Sequence, residues 1–358
     1  MIYIIVLFAV LGGIDYIFKN RFGLGIKFEE GFLSMGGMGL SIIGIYTLSP
    51  VIARLITPVL YPLSDLFRTD PSVFIGSILA VDLGGYLTST EIARSTIVGE
   101  FNGIILASMM GSTISFTIPV ALKLIDDADF RYFSKGILAG IVTVPLGMIV
   151  SGLMMKVPAL DLIQSLFPVI VFSILIVIAM VKFFDKVLKG FMVLGKAILI
   201  ISTLGLLLSI LDFMFGVQLV SGMLPFEEAV IVVGKIAIIL AGAYPLIYFT
   251  SVKLQKTFKK ISLRYDLDEY SILGLISSTV NNVPMMGIYK EMNWKGKIMN
   301  AAFSVSGAFV FGGQFGYVST VAPASANAFI AGKLVGGISA LVLAVILINR
   351  EAKQVNNL

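Results

Sequence analysis

The sequence predicts an all-α integral membrane protein with about nine spanning helices, two re-entrant hairpins and an inverted internal repeat. Three observations predict it. The first is composition: of 358 residues, 58% are hydrophobic and only 13% charged, with a mean hydropathy of +1.00. The second is the recurrence of apolar runs of about 18 residues or more, the length that crosses roughly 30 Å of hydrocarbon. These runs fall at 2–18, 31–63, 72–90, 101–125, 134–155, 161–181, 190–212, 228–252, 270–288, 298–318 and 325–348. The third is a pair of related halves whose loop charges sort to one face only if two of the runs turn back.

The runs leave no room for a sizeable soluble domain, so residues 1–358 read as one membrane domain. A porin-type barrel would show short segments of alternating hydrophobicity, and there are none. The net charge of +5 reads as Lys and Arg anchoring cytoplasmic loops, not as a surface for nucleic acid. With no Cys, disulfides, thiolate metal sites and Cys nucleophiles are excluded; with no His, the commonest metal ligand and general base is missing. No metal or cofactor is expected. No basic stretch precedes the first apolar run, which therefore reads as an uncleaved first helix.

The repeat rests on a constant offset. Phe28-Glu29-Glu30 recurs as Phe226-Glu227-Glu228, a shift of 198, and at the same shift Gly76 meets Gly274, Asn102 meets Asn300 and Ser108 meets Ser306. With one residue of slippage, GILAGI (136–141) matches KLVGGI (333–338). The repeats cover about 28–153 and 226–350, and 156–225 connects them. Loop charges then decide their relation. If all eleven runs cross, Lys and Arg divide 13 against 10, which is barely a bias. If 72–90 and 270–288 enter and leave on one side, 19 lie inside, in the patches 19–27, 123–135, 182–189, 253–264, 290–297 and 350–353. Arg54, Arg68, Arg94 and Lys156 then lie outside, and Lys196, Lys235 and Lys333, within helices, belong to neither tally. That asymmetry is what cytoplasmic loops show, and it makes the repeats inverted.

Both turning segments carry chain-breaking residues at their centres. SSTVNNVPMMGIYKEM (277–292) places Asn281, Asn282 and Pro284 about 11 residues after Tyr270, roughly 16 Å of helix and so near mid-bilayer. AVDLGGY (80–86) places Asp82 about 11 residues after Pro71, with Gly84-Gly85 for a tight turn. Irregular backbone at that depth survives only against protein or a water-filled cavity. Paired broken segments in inverted halves mark the site of a secondary transporter.

Asp82 is the sharpest candidate. A carboxylate at bilayer depth costs at least about 2.5–3.5 kcal/mol, so it needs a cavity, a partner or a cationic ligand. Its structural alternative is to cap the following half-helix or to pair with Lys235 or Lys333. Asn281 and Asn282 could hold a hydroxyl group or a coupling ion, or simply close their own turn. Ser112, Thr113 and Gln314 are candidate cavity liners among helices otherwise rich in small packing residues. SMGGMG (34–39) reads as a close-contact helix face. Glu29, Glu30, Glu227 and Glu228 read as acids beginning helices, worth about 0.3–1 kcal/mol there. Lys235 reads first as a side chain snorkelling to the outer interface, with the alternative that it occupies the position a coupling cation takes in other carriers. No phosphate-loop motif is present.

At these residues the chain resembles the ethanolamine-utilisation membrane proteins, the EutH family. The stretches are FEEGFLSMGGMGL (28–40), DLGGY (82–86), SMMGSTISFTIPVAL (108–122), GILAGIVTVPLG (136–147), GAYPL (242–246), NNVPMMGIYKEMNWKGK (281–297) and GKLVGG (332–337). The likeness covers nearly the whole chain in order. It departs at Gly313-Gln314, where the family pattern has an acid followed by His, and in a shorter section between the halves. The resemblance implies a multi-pass permease of the bacterial inner membrane that takes up ethanolamine for use as carbon and nitrogen.

The chemistry of the solute agrees with the residues. Ethanolamine is a small ammonium bearing one hydroxyl, and it calls for one carboxylate and an amide. Tyr86 beside Asp82 could add a cation–π face worth about 0.5–2 kcal/mol. The reading is of a carrier or facilitator, not an enzyme, with Asp82, Tyr86, Asn281, Asn282, Ser112, Thr113 and Gln314 around its substrate. Its partners would be ethanolamine and membrane lipid, with room for a coupling cation and for an oligomer. The alternative is an ion-coupled carrier of an amino acid or carboxylate, which Asp82 opposes. An intramembrane enzyme lacks the residues, and a scaffold would not need a buried acid at a broken tip.

Overall fold

A computed structural model describes residues 2–356, with side chains described over 2–350, so Lys353 of the last basic patch lies outside the described side chains. It is all-helical, with no strand among the described residues. Seven helices are long and apolar enough to cross a membrane. In chain order the elements are α1 (Ile2–Ile17) and α2 (Leu24–Phe67), then the short α3 (Ser72–Ile78) and α4 (Tyr86–Ile92). There follow α5 (Thr96–Leu124) and α6 (Phe130–Met154). The middle holds α7 (Ala159–Lys182) and α8 (Phe184–Phe215), then α9 (Phe226–Lys253) and the surface helix α10 (Gln255–Tyr265). Last come the short α11 (Glu269–Ser278) and α12 (Asn282–Gly287), α13 (Trp294–Ser306), α14 (Gly313–Val321) and α15 (Ala326–Asn356).

Two bundles face one another. In the first, α1, α2, α8 and α9 pack through small residues. A methyl group added at Gly44 of α2 would lie 1.7 Å from the Ser202 carbonyl oxygen of α8. Thr47 and Ser209 share a 2.7 Å hydroxyl bond between the same helices. The second bundle gathers α6, α13 and α15 around α5, with the Ser151 hydroxyl donating to the Ala328 carbonyl at 2.9 Å. Close backbone approach through Gly, Ser and Thr substitutes for the hydrophobic drive that lipid cannot supply. α2 is much longer than a bilayer crossing. It contains Pro50, Pro58 and Pro62, each of which removes a helical hydrogen bond.

The segment 70–94 folds back on itself. The Arg94 amide donates to Asp70 Oδ2 at 2.8 Å, and Asp70 Oδ1 accepts from the Ser72 amide and hydroxyl at 2.9 and 2.5 Å. The segment 268–293 closes the same way. Asp268 accepts from the Ser271 amide at 2.8 Å, the Ser271 hydroxyl at 2.9 Å and the Asn293 amide at 2.5 Å. Asp70 and Asp268 stand 198 residues apart, the offset of the expected repeat, and sequence reasoning singled out neither. Asn102 and Asn300, also at that offset, each donate back to a serine of their folded segment, at 3.0 Å to Ser72 Oγ and 2.9 Å to the Ser271 carbonyl.

Two expectations about these elements differ from the structure. The run 298–318 is not one continuous helix: it breaks between α13 and α14, with Phe309 at φ 58°. The run 101–125 in the first half stays helical but widens into π-helix at Asn102–Gly111 and Thr113–Thr117. Glu29 and Glu30 do not begin α2, which starts at Leu24; Glu30 instead pairs with Lys27 at 2.7 Å. Glu227 and Glu228 do occupy the first turn of α9.

Candidate functional site

The breaks of both folded segments meet at one cavity. In the first, Leu79 and Ala80 are extended, Leu83 leaves helical geometry at φ −106°, and Gly84 takes φ 87°, a conformation open to Gly at little cost. In the second, α11 ends at Ser278 and Asn281 caps α12, its side-chain oxygen accepting from the Val283 amide at 2.9 Å. The interruption between α13 and α14 lies against this turn, since the Phe309 and Phe311 amides donate to the Ser278 and Thr279 carbonyls at 2.9 Å each. Backbone groups freed by one break are thus satisfied by the other.

Two glycines allow the contact. A methyl group at Gly111 of α5 would stand 2.1 Å from the Leu79 carbonyl oxygen, and one at Gly312 would stand 1.8 Å from that of Val280. Each lets the helix after a folded segment touch that segment's tip with its backbone.

The cavity has a volume of about 410 Å³ and lies between the bundles. Asp82, Asn281, Ser112 and Gln314 line it on one side, and the α2–α9 pair supplies the other wall. Asp82 is half-buried and does not cap α4, whose first turn has no side-chain cap. The Gln314 amide nitrogen donates to Ser112 Oγ at 2.7 Å. Phe116, Phe309 and Tyr244 contribute ring surface. Among the described residues, Asp82 is the one charged side chain lining the cavity. Such a wall suits a small solute with one positive charge and one hydrogen-bonding group. No cluster of acids that could hold a metal ion occurs among the described residues.

Three of the expected site residues lie elsewhere. Tyr86 does not line the cavity; it is half-buried and packs edge-on against Tyr317, with ring centroids 6.2 Å apart. The non-helical turn at Leu83-Gly84 is the reason, because it rotates residue 86 off the face that residue 82 would share in a regular helix. Asn282 is fully buried and ties the turn to its neighbours, its amide donating to Thr117 Oγ1 at 3.2 Å and the Ser304 carbonyl at 3.4 Å. Thr113 is equally buried, and its hydroxyl donates to the Met109 carbonyl at 2.8 Å.

Other residues were missed. Ser34, Gly37 and Ser41 of α2 and Tyr244 of α9 line the cavity. SMGGMG is therefore not a close-contact face: a methyl group at Gly36 or Gly37 would meet nothing within 4 Å. The spacing of Ser34, Gly37 and Ser41, three and four residues apart on one helix face, was the available clue to a polar cavity wall. Lys235 is exposed on α9 and lines no part of the cavity. Lys333, by contrast, is fully buried.

The model of the family described as ethanolamine utilisation protein, EutH, matches residues 1–347. A Listeria monocytogenes protein named a probable ethanolamine permease EutH is 37% identical over 99% of this chain and 95% of its own length. The Escherichia coli protein of the same name is 32% identical over 98% of this chain and 95% of its own length. A Bacillus subtilis protein, printed as uncharacterized protein YxeR, is 38% identical over 96% and 93%. No solved structure matches the chain.

Proposed function

Because the chain belongs to the EutH family, we propose that it carries ethanolamine across the bacterial cytoplasmic membrane, binding the protonated amine at Asp82. The observation that carries this reading is the cavity wall: one carboxylate, two amides, several hydroxyls and ring faces, and no basic side chain among the described residues. The ammonium group sits against Asp82, and its hydroxyl bonds to Asn281 or to the Gln314–Ser112 pair. An anionic or carboxylate solute would face an acid with no opposing base, so the amino-acid or carboxylate alternative is disfavoured.

In a bilayer, the segments 70–94 and 268–293 act as re-entrant hairpins that enter from opposite faces, within inverted repeats at about 28–153 and 226–350. The seven long helices, α1 and the interrupted α13–α14 pair then make nine crossings. The N-terminus lies outside, and α10, with Lys256, Lys259, Lys260 and Arg264 exposed, lies on the cytoplasmic surface. Access alternates as the bundle holding the hairpins moves against α1, α2, α8 and α9. A monovalent cation moving inward through 100 mV gains about 2.3 kcal/mol, roughly fiftyfold accumulation without any coupling ion.

Uptake of labelled ethanolamine into vesicles holding the full chain tests this. Wild-type vesicles should exceed empty ones, and Asp82→Asn should lower uptake at least about tenfold, the loss of a buried charge pair's worth of affinity. Wild-type uptake no better than that of empty vesicles would end the carrier reading, and undiminished uptake in Asp82→Asn would remove that residue from the site.

A further inference from the structure

Lys333 is fully buried, in the middle of the hairpin bundle. Its ammonium donates to the Ser108 carbonyl oxygen of α5 at 2.6 Å and to Gln314 Oε1 of α14 at 3.0 Å. The ring of Phe329, one turn earlier on α15, lies 5.2 Å from the nitrogen. The first is a backbone oxygen of an irregular stretch, and the second a side-chain amide oxygen at the start of a helix that follows a break. Ser108 sits in the π-helical stretch of α5, and Gln314 opens the helix after the break. Backbone carbonyls in such stretches hold a coupling cation in broken-helix carriers, and a side-chain amide oxygen is a cation ligand of the same kind. Here a side chain's own ammonium fills the place.

The contact has a second consequence. Lysine donates and never accepts, so the oxygen of the Gln314 amide must face it. The nitrogen of that amide is thereby turned toward Ser112 and the cavity, where it presents a donor. Asp82 is the acid within electrostatic reach of Lys333, but no ion pair joins them within 4.0 Å among the described residues; Lys333 spends its hydrogen bonds on Ser108 and Gln314. The carboxylate stays open to the cavity.

Resting on the carrier reading above, we propose that Lys333 is a tethered cation standing where an ion-coupled carrier binds a metal ion, and that it positions Gln314 for the solute hydroxyl. The carrier is therefore a uniporter, driven by membrane potential alone and indifferent to sodium. Lys333 is a positioning residue, since it reaches the solute only through Gln314.

The test uses the full chain in vesicles, labelled ethanolamine and an imposed potassium-diffusion potential, with and without external sodium. Wild-type uptake is expected to be the same in both media. Lys333→Ala is expected to raise the KM for ethanolamine about tenfold or more without sodium, as for loss of a group held at bilayer depth. Sodium or methylammonium should then restore part of the loss by entering the vacated oxygens, a rescue that a purely packing role would not give.

Sodium-dependent uptake by the wild type overturns the proposal, and this arm needs no variant to fold. So does a folded Lys333→Ala protein that transports as the wild type does, or one that neither cation rescues. Wild-type vesicles that take up no ethanolamine in either medium would instead overturn the carrier reading itself.

Discussion

At the scale of single residues, polarity alone does not say which side chains serve the cavity. Asn281 and Asn282 are neighbours with the same amide, yet one lines the cavity and the other is wholly enclosed. Asn282→Leu should therefore act on stability, costing about 1–3 kcal/mol as the Thr117 and Ser304 partners lose their bond. A melting curve of the detergent-solubilised protein reads that loss directly. Asn281→Ala removes a helix cap worth about 0.5–2 kcal/mol and should also raise the KM for ethanolamine. Tyr86→Phe should leave that KM unchanged, because its ring meets Tyr317 and its hydroxyl does not reach the cavity wall. Asp82 was legible in the sequence because an acid at bilayer depth demands an explanation. The role of Lys333 was not, because a lysine among small residues does not disclose whether it snorkels outward or points inward.

At the scale of elements, the centres of the two folded segments were legible as residues a spanning helix cannot tolerate: Gly-Gly after an acid, and Asn-Asn before a proline. The break between α13 and α14 was not. Its residues, GAFVFGG (307–313), are apolar and carry no proline, so in sequence they pass for a packing face. What breaks the helix there is tertiary, namely the two backbone bonds to Ser278 and Thr279. Gly312→Ala should push that break off the turn, and Gly111→Ala should do the same at the other tip, each lowering uptake more than expression. The aspartates that close the segments were likewise hidden, as loop acids of ordinary appearance. Burial alone would raise the Asp268 pKa, but bonds from the Asn293 and Ser271 amides and the Ser271 hydroxyl outweigh it and hold the group below its ordinary value. The stability this supplies is complete above the unfolded-state value of about 3.9 and is lost as pH falls through the lower folded value. Asp268→Ala should therefore lower the melting temperature at pH 7, and the gap from wild type should narrow as the medium is acidified toward pH 3.

At the scale of the whole molecule, the cavity is lined from both bundles, an arrangement that fits the proposed moving-bundle carrier. Gly37 of α2 faces the cavity with room for a side chain. Gly37→Cys should transport normally in this otherwise Cys-free chain, then lose uptake on reaction with a bulky thiol reagent, with ethanolamine slowing the reaction. Sidedness is open to the same chemistry. Cys placed at Lys256 and at Lys295 should both label from the cytoplasmic face, and labelling from opposite faces would refute the hairpin topology. The rungs joining Phe309 and Phe311 to the turn at 278–279 bear on how a solute would be let go. A tip stitched to its own bundle cannot swing open like a flap without stranding two peptide groups in a dry interior. In the proposed carrier the door therefore does not open in its frame; the frame itself slides past the jamb, taking the passenger along.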